Sequence, residues 1–393
     1  MRTGRLRAMP ELSIAATAQS SSPMRSAAGG LLALAVAIGI GRFIYTPILP
    51  SMMAALGLPK LDAGLIASAN FAGYLTGALL VTGPRLSARR WILGGLIASA
   101  LTTGAMGLAR SVALFVILRA MGGVASSIVF VLACATVLDA LAAIDRFDFA
   151  TFMFAGVGVG IAGSAVLIAA LRAISLGWSA LWVAGGALSI LGTLACWRLI
   201  PDNRNRLDPP PAAGAAPLDR RFARLTLAYG LFGFAYIVTA TFLVAIVRSS
   251  PSTRQIEPAV WVIFGIAAVP SVALWRAVGR RMGTPRGFAL AALAEALGVL
   301  GSVLWQSVVG VLVATVLVGG TFMGLTALGL TRGRQLAARN PQRGLPLMTS
   351  AFGIGQIAGP SFAGALSDRL GSFTLASVTA AAALAVSAAL AAI

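Results

Sequence analysis

The sequence predicts an all-α integral membrane protein of about twelve transmembrane helices, arranged as two six-helix bundles with pseudo-two-fold 6+6 symmetry. Three observations predict it. Of 393 residues, 58% are apolar and only 10% charged, and the mean hydropathy is +0.91; soluble domains carry roughly 25% charged residues. Apolar runs of about 20 residues, the length that crosses roughly 30 Å of hydrocarbon, recur from end to end. Finally, the basic residues sit singly or in small groups at the ends of those runs.

Residues 1–25 hold Arg2, Arg5, Arg7 and a serine run. They read as a disordered cytoplasmic tail, without the short apolar core and cleavage site of a signal peptide; Met24 is an alternative first residue. Runs bounded by charges, Pro or Gly then place spans near 27–52, 62–83, 91–109, 111–138, 149–171 and 178–199, within a bundle covering 26–199. Residues 200–221 include Pro209-Pro210-Pro211 and several charges, and read as a cytoplasmic linker. The second bundle, 222–393, carries spans near 222–247, 258–279, 287–305, 308–331, 345–366 and 372–392. Aligning Arg89 with Arg286 also brings Arg146 onto Arg343, Gly156 onto Gly353 and Gly158 onto Gly355, which agrees with a duplicated body.

The 30 basic residues outnumber the 11 acidic ones, giving a net charge of +19. A basic excess can mark a nucleic-acid binder, but position decides against that partner. With both termini inside, the opposite side receives only Lys60, Arg110, Arg172, Arg248, Arg254 and Arg369, and nearly all other arginines fall to the cytoplasmic loops. That is how membrane proteins fix orientation. The chain has no histidine and only Cys134 and Cys196, so a zinc site, a histidine relay or a disulfide framework is not expected, and neither metal nor cofactor is implied. No hydrolase elbow or paired carboxylates in a cleft point to an enzyme.

Gly158 to Gly163 spells the dinucleotide fingerprint, but that motif needs a preceding strand and an acid about 20 residues on. Here the flanks are apolar, so Gly156, Gly158, Gly160 and Gly163 read as close-packing or hinge positions between helices, as do Gly355 and Gly359, with Pro360 able to kink its helix.

Two arginines stand inside spans. Arg42 lies about 15 residues into the first and Arg119 about 8 into the fourth, roughly 22 Å and 12 Å along helices of opposite direction, hence at similar depth. An arginine there costs about 2.5–3.5 kcal/mol on insertion scales. Each either lines a cavity or snorkels to the interface, Pro47 and Pro50 helping Arg42 by ending its helix early. Tyr45, Asn70 and Tyr74 from the first two spans, and Tyr236, Thr239 and Gln356 from the second half, add substrate-binding candidates; each is alternatively an interhelical hydrogen bond. Glu295 is the acid that lies well inside a span, a proton-coupling candidate or the partner of a polar neighbour.

The stretch Gly39-Ile40-Gly41-Arg42-Phe43-Ile44-Tyr45-Thr46-Pro47-Ile48-Leu49-Pro50, followed by Ala67 to Tyr74, resembles the YbfB/YjiJ branch of the major facilitator superfamily. Arg119 with Gly122 and Gly123 is similar to the superfamily's fourth-helix motif, and Gly156 to Gly163 to its glycine-rich fifth-helix motif. The inner-loop aspartate of the superfamily is matched by Val81 and Arg280, so the usual latch there is in question. A similar run, Gly364 to Gly371 with Asp368, lies between the last two spans, on the outside. The resemblance implies a monomeric secondary active transporter of the bacterial inner membrane, embedded in lipid and rocking about a central small-molecule site. Two arginines and no obvious central acid suggest a small organic anion, and Glu295 is the candidate for proton coupling; a drug or metabolite exporter, or a non-transporting membrane sensor, are the alternatives.

Overall fold

In the computed structural model, which describes residues 23–81, 87–142, 146, 149–200, 219–338 and 341–392, the described residues are helical with short turns and no strand. The amino-terminal tail, up to residue 22, and most of the inter-bundle linker, 201–218, lie outside the described residues.

The first span is one long unit, Pro23–Leu56, built from α1 (Pro23–Leu34), a π-helical stretch Ala35–Ile40, a turn at 41–44, and α2 (Tyr45–Leu56). Its interruption follows from Pro47, which offers no N–H and crowds the carbonyl four residues back. The helix therefore does not end early, as the prolines suggested; it breaks one turn before them and resumes to Leu56. There Gly57, at φ +62°, takes the left-handed conformation that stops it.

The remaining first-half helices are α3 (Lys60–Leu80), α4 (Ala88–Ala105), α5 (Val112–Ala142), α6 (Phe149–Ala173) and α7 (Trp178–Trp197). The second half has α8 (Arg220–Ser249), α9 (Glu257–Ala268), α10 (Ser271–Met282), α11 (Thr284–Leu304), α12 (Val308–Leu336), α13 (Pro341–Leu370) and α14 (Thr374–Ala392). Caps fall where sequence supplies them: Asp219 accepts from Phe222 N at 2.8 Å to start α8, and Ser307 accepts from Gly310 N at 3.1 Å to start α12.

Among the described residues nine helices are long and apolar enough to cross a membrane, and the bent pair of α9 and α10, joined at Pro270 with a 45° angle, makes a tenth crossing. The less apolar α4 and the polar-studded α13 pack in the same layer, α4 against α5 and α7, α13 against α8 and α3. The body thus has about twelve crossings. Leu101, Leu191, Leu194 and Leu297 are each more than 60% exposed on its rim, an apolar girdle that fits lipid rather than water.

Contacts divide by half: α3 on α5, α4 on α7 and α1 on α6 in the first, α11 on α12 and α14, and α14 on α8, in the second. Between halves, α3 runs along α13, α6 along α9, and α2 along α8. Glycine permits these approaches. A Cβ at Gly158 would lie 2.6 Å from the Gly265 carbonyl oxygen, across the α6–α9 crossing.

Candidate functional site

The helix break leaves carbonyls to satisfy. Thr46 N reaches Phe43 O at 3.3 Å, and the carbonyls of Gly41 and Arg42 are taken instead by Arg119 of α5, Nη1 to Gly41 at 2.9 Å and Nη2 to Arg42 at 3.0 Å. Its guanidinium also lies 5.1 Å from the Tyr45 ring. Arg119 is thereby tied to the main chain, with only Nε left unpartnered.

Arg42 is different. It is 6% exposed, and its Nε and Nη2 have no hydrogen-bond partner in the protein. The guanidinium stacks 4.0 Å over Tyr74 and 5.1 Å from Phe71, with the Tyr236 phenol from α8 beside it. It does not snorkel: the side chain points to the meeting of the two halves. A cavity of about 10 Å³, room for a single water, is lined there by Arg42, Arg119, Phe71, Ile237, Ala240 and Thr241.

The other candidates sort by their bonds. Tyr45 donates to the Ala63 carbonyl at 2.8 Å and packs on Trp182, so it anchors α2 to α3. Asn70 donates to the Arg119 carbonyl at 2.9 Å, fastening α3 to α5, while its Oδ1 is unpartnered. Tyr74 is the half-buried floor beneath Arg42. Gln356 donates to the Tyr236 hydroxyl, and its Oε1, like the Thr239 hydroxyl, has no partner. Glu295 is fully buried with both carboxylate oxygens unpartnered. Thr321 is its polar neighbour, but that hydroxyl donates to the Leu317 carbonyl at 2.7 Å.

Of the glycines, Gly156 and Gly160 face the main chain of Leu31 and Ala35, Gly355 that of Gly230, and Gly359 that of Phe234, so close packing accounts for them. Gly163 does not belong with them: a Cβ there would meet nothing within 4 Å. Pro360 sits inside an uninterrupted α13, and its carbonyl presses on Gly64 of α3.

Sequence reasoning missed an aromatic wall. Tyr236 stacks between Phe322 (5.8 Å, 9°) and Phe352 (5.9 Å, 3°), and Phe43, Trp261 and Phe264 extend the array through Phe322. These rings come from four helices, α8, α9, α12 and α13, and the turn at Phe43, with no shared spacing to betray them; the signal available was Phe43 next to Arg42.

The family model described as an uncharacterised MFS-type transporter YbfB matches residues 34–392. The chain belongs to this major facilitator family. Among solved structures it is similar to the crystal structure of a point mutant of the nucleoside transporter NupG, at 15% identity and a TM-score of 0.74, covering 94% of this chain and 98% of that one; such a likeness speaks to the fold. A search of curated proteins gives no match.

In this major facilitator protein the two membrane faces differ. At the face carrying Glu257, the halves are joined by several bonds. Glu257 takes Arg172 of the first half at 2.5 Å and Arg248 of the second at 2.9 Å. Asp368, at the end of α13, accepts from Lys60 N and Leu61 N at 3.0 and 2.7 Å, capping α3 of the other half. Deeper, Ser68 donates to the Ile357 carbonyl at 2.6 Å, and Thr46, which lines the Arg42 cavity, to that of Ala240 at 2.8 Å. At the face carrying Arg334, a cleft of about 230 Å³ opens between α5 and α6 on one side and α10 and α12 on the other. Across it Arg276 makes a marginal 3.5 Å contact with Thr151. Its wall includes Phe130, whose ring lies 6.3 Å from that of Tyr74.

Proposed function

We propose that this protein is a secondary active transporter for a small organic anion with a planar apolar part, working by alternating access between two six-helix units, residues 26–199 and 222–393. The observation that carries the reading is Arg42: a guanidinium buried at the meeting of the halves, with donors the protein leaves unused, beside a wall of rings. A buried cation without a counter-charge is costly, and a bound carboxylate would supply that counter-charge through charge-assisted bonds. Tyr236 and Phe322 would face the solute's apolar part, and Gln356 and Thr239 offer spare acceptors and a hydroxyl.

The arginines at the Arg334 face, with Arg276, Arg280 and Arg281 beside it, support placing that face and both termini in the cytoplasm of an inner membrane. The cleft then opens inward and the Glu257 face is the closed outer side. Glu295 is the proposed proton site, because it is fully buried with both carboxylate oxygens unpartnered and Tyr236 is within electrostatic reach of both it and Arg42. The chain works as a monomer, with a small-molecule solute and lipid as its partners. The aromatic wall by itself also suits a neutral planar drug, the exporter reading.

The test is thermal stability of the detergent-purified protein against benzoate, succinate and neutral or cationic aromatic compounds, since a ligand stabilises by RT ln(1 + [L]/Kd), about 2.7 kcal/mol at a hundredfold excess over Kd. A shift with benzoate that disappears in Arg42→Gln supports the anion reading. Shifts with neutral or cationic aromatics alone overturn it in favour of an exporter.

A further inference from the structure

The Glu257 face carries more than a closed gate. A vestibule of about 640 Å³ opens there, lined by Ala54, Arg172, Arg248, Arg254, Glu257 and Pro258 among others. Three arginines share it with a single carboxylate, so positive charge is in surplus. Glu257 is 4% exposed and clamped between Arg172 and Arg248, whereas those arginines remain 25% and 28% exposed and meet the carboxylate through Nη1 of Arg172 and Nε of Arg248. Arg254 is exposed and spends only its Nε, on the Arg248 carbonyl at 3.1 Å. Among the described residues, the one bond in this cluster that joins the halves is Arg172 to Glu257, from the end of α6 to the start of α9.

We propose that this vestibule is a second anion site, for a small carboxylate, whose occupant opens the Glu257 face by replacing Glu257 on Arg172. Parting the halves strips Arg172 of its partner and leaves an uncompensated cation, which holds the face shut. A carboxylate held by Arg254 and the remaining guanidinium donors can take Arg172 in a bidentate pair, which removes that penalty in the open form only. Differential affinity of this kind shifts the population. At a hundredfold excess over its dissociation constant, an anion that binds only the open form raises the open-to-closed ratio about 100-fold. External anion then acts as a key to the Glu257 face. The inference relies on the proposed orientation but not on what the central site carries.

The test attaches spin labels at Leu176→Cys and Ser252→Cys, on opposite halves at this face, in a Cys134→Ala, Cys196→Ala background, and measures their distance with succinate or with chloride at equal ionic strength. Succinate is expected to build a longer-distance population that chloride does not. Arg254→Gln should abolish that response, and Glu257→Gln should show the long distance without succinate. The response should persist in Arg42→Gln, so that failure of the central anion site and failure of this one are told apart. No lengthening with succinate, equal lengthening with chloride, a closed Glu257→Gln, or loss of the response in Arg42→Gln would each overturn the proposal.

Discussion

Arg119 holds the main chain of Arg42: its Nη2 donates to the Arg42 carbonyl at 3.0 Å while the Arg42 guanidinium lies elsewhere, 4.0 Å over Tyr74. Two intramembrane arginines of similar depth therefore have unlike duties. One stabilises a broken helix, and the other is kept available.

The first prediction separates them. Arg119→Gln removes two hydrogen bonds from a charged donor, each worth about 1.5–3 kcal/mol, and exposes two buried carbonyls. It is expected to lower stability by about 3 kcal/mol or more. Arg42→Gln removes a buried charge without hydrogen-bond partners at Nε and Nη2, so ligand-free stability should hold or rise. Thermal unfolding of both variants without ligand checks this; equal destabilisation would show that the two share one role.

Glu295→Gln keeps the shape of the side chain and removes its proton chemistry. In proteoliposomes, solute accumulation driven by a pH gradient should be lost while solute exchange at equal pH on both sides continues. Gradient-driven accumulation that survives the change would remove Glu295 from coupling.

Asp368 supplies the first two N–H groups of α3 with acceptors from the other half, and a negative charge there also suits the helix dipole. Loss of such a cap costs about 1 kcal/mol, here only in the closed form. Asp368→Ala should raise the open-to-closed ratio roughly fivefold, read as a longer distance between labels at Leu176→Cys and Ser252→Cys. An unchanged distance distribution would mean the cap has no part in closure.

Glycines on one helix should differ sharply. A Cβ at Gly160 would collide with the Ala35 backbone, while one at Gly163 meets open space. Gly160→Leu is expected to prevent folding, and Gly163→Ala to leave stability unchanged or up to about 1 kcal/mol higher through helix propensity. Yield of monodisperse protein and its unfolding temperature test both.

The sequence by itself determined that this chain lives in a membrane, how many times it crosses, and which polar side chains lie within the crossings. Those properties are local: each span must satisfy its own backbone and match its own stretch of lipid, so composition and run length suffice. Glu257 and Asp368 were legible only as acids at span ends, and Phe43, Trp261 and Phe322 only as apolar filling. Their partners, Arg172, the start of α3 and, for Phe322, Tyr236, come from other helices, as far as 308 residues away for Lys60 and Asp368. Only the tertiary structure decided those pairings, and with them which arginine is tied and which face is closed. Such contacts depend on how two bundles meet, which no periodicity within a single helix records.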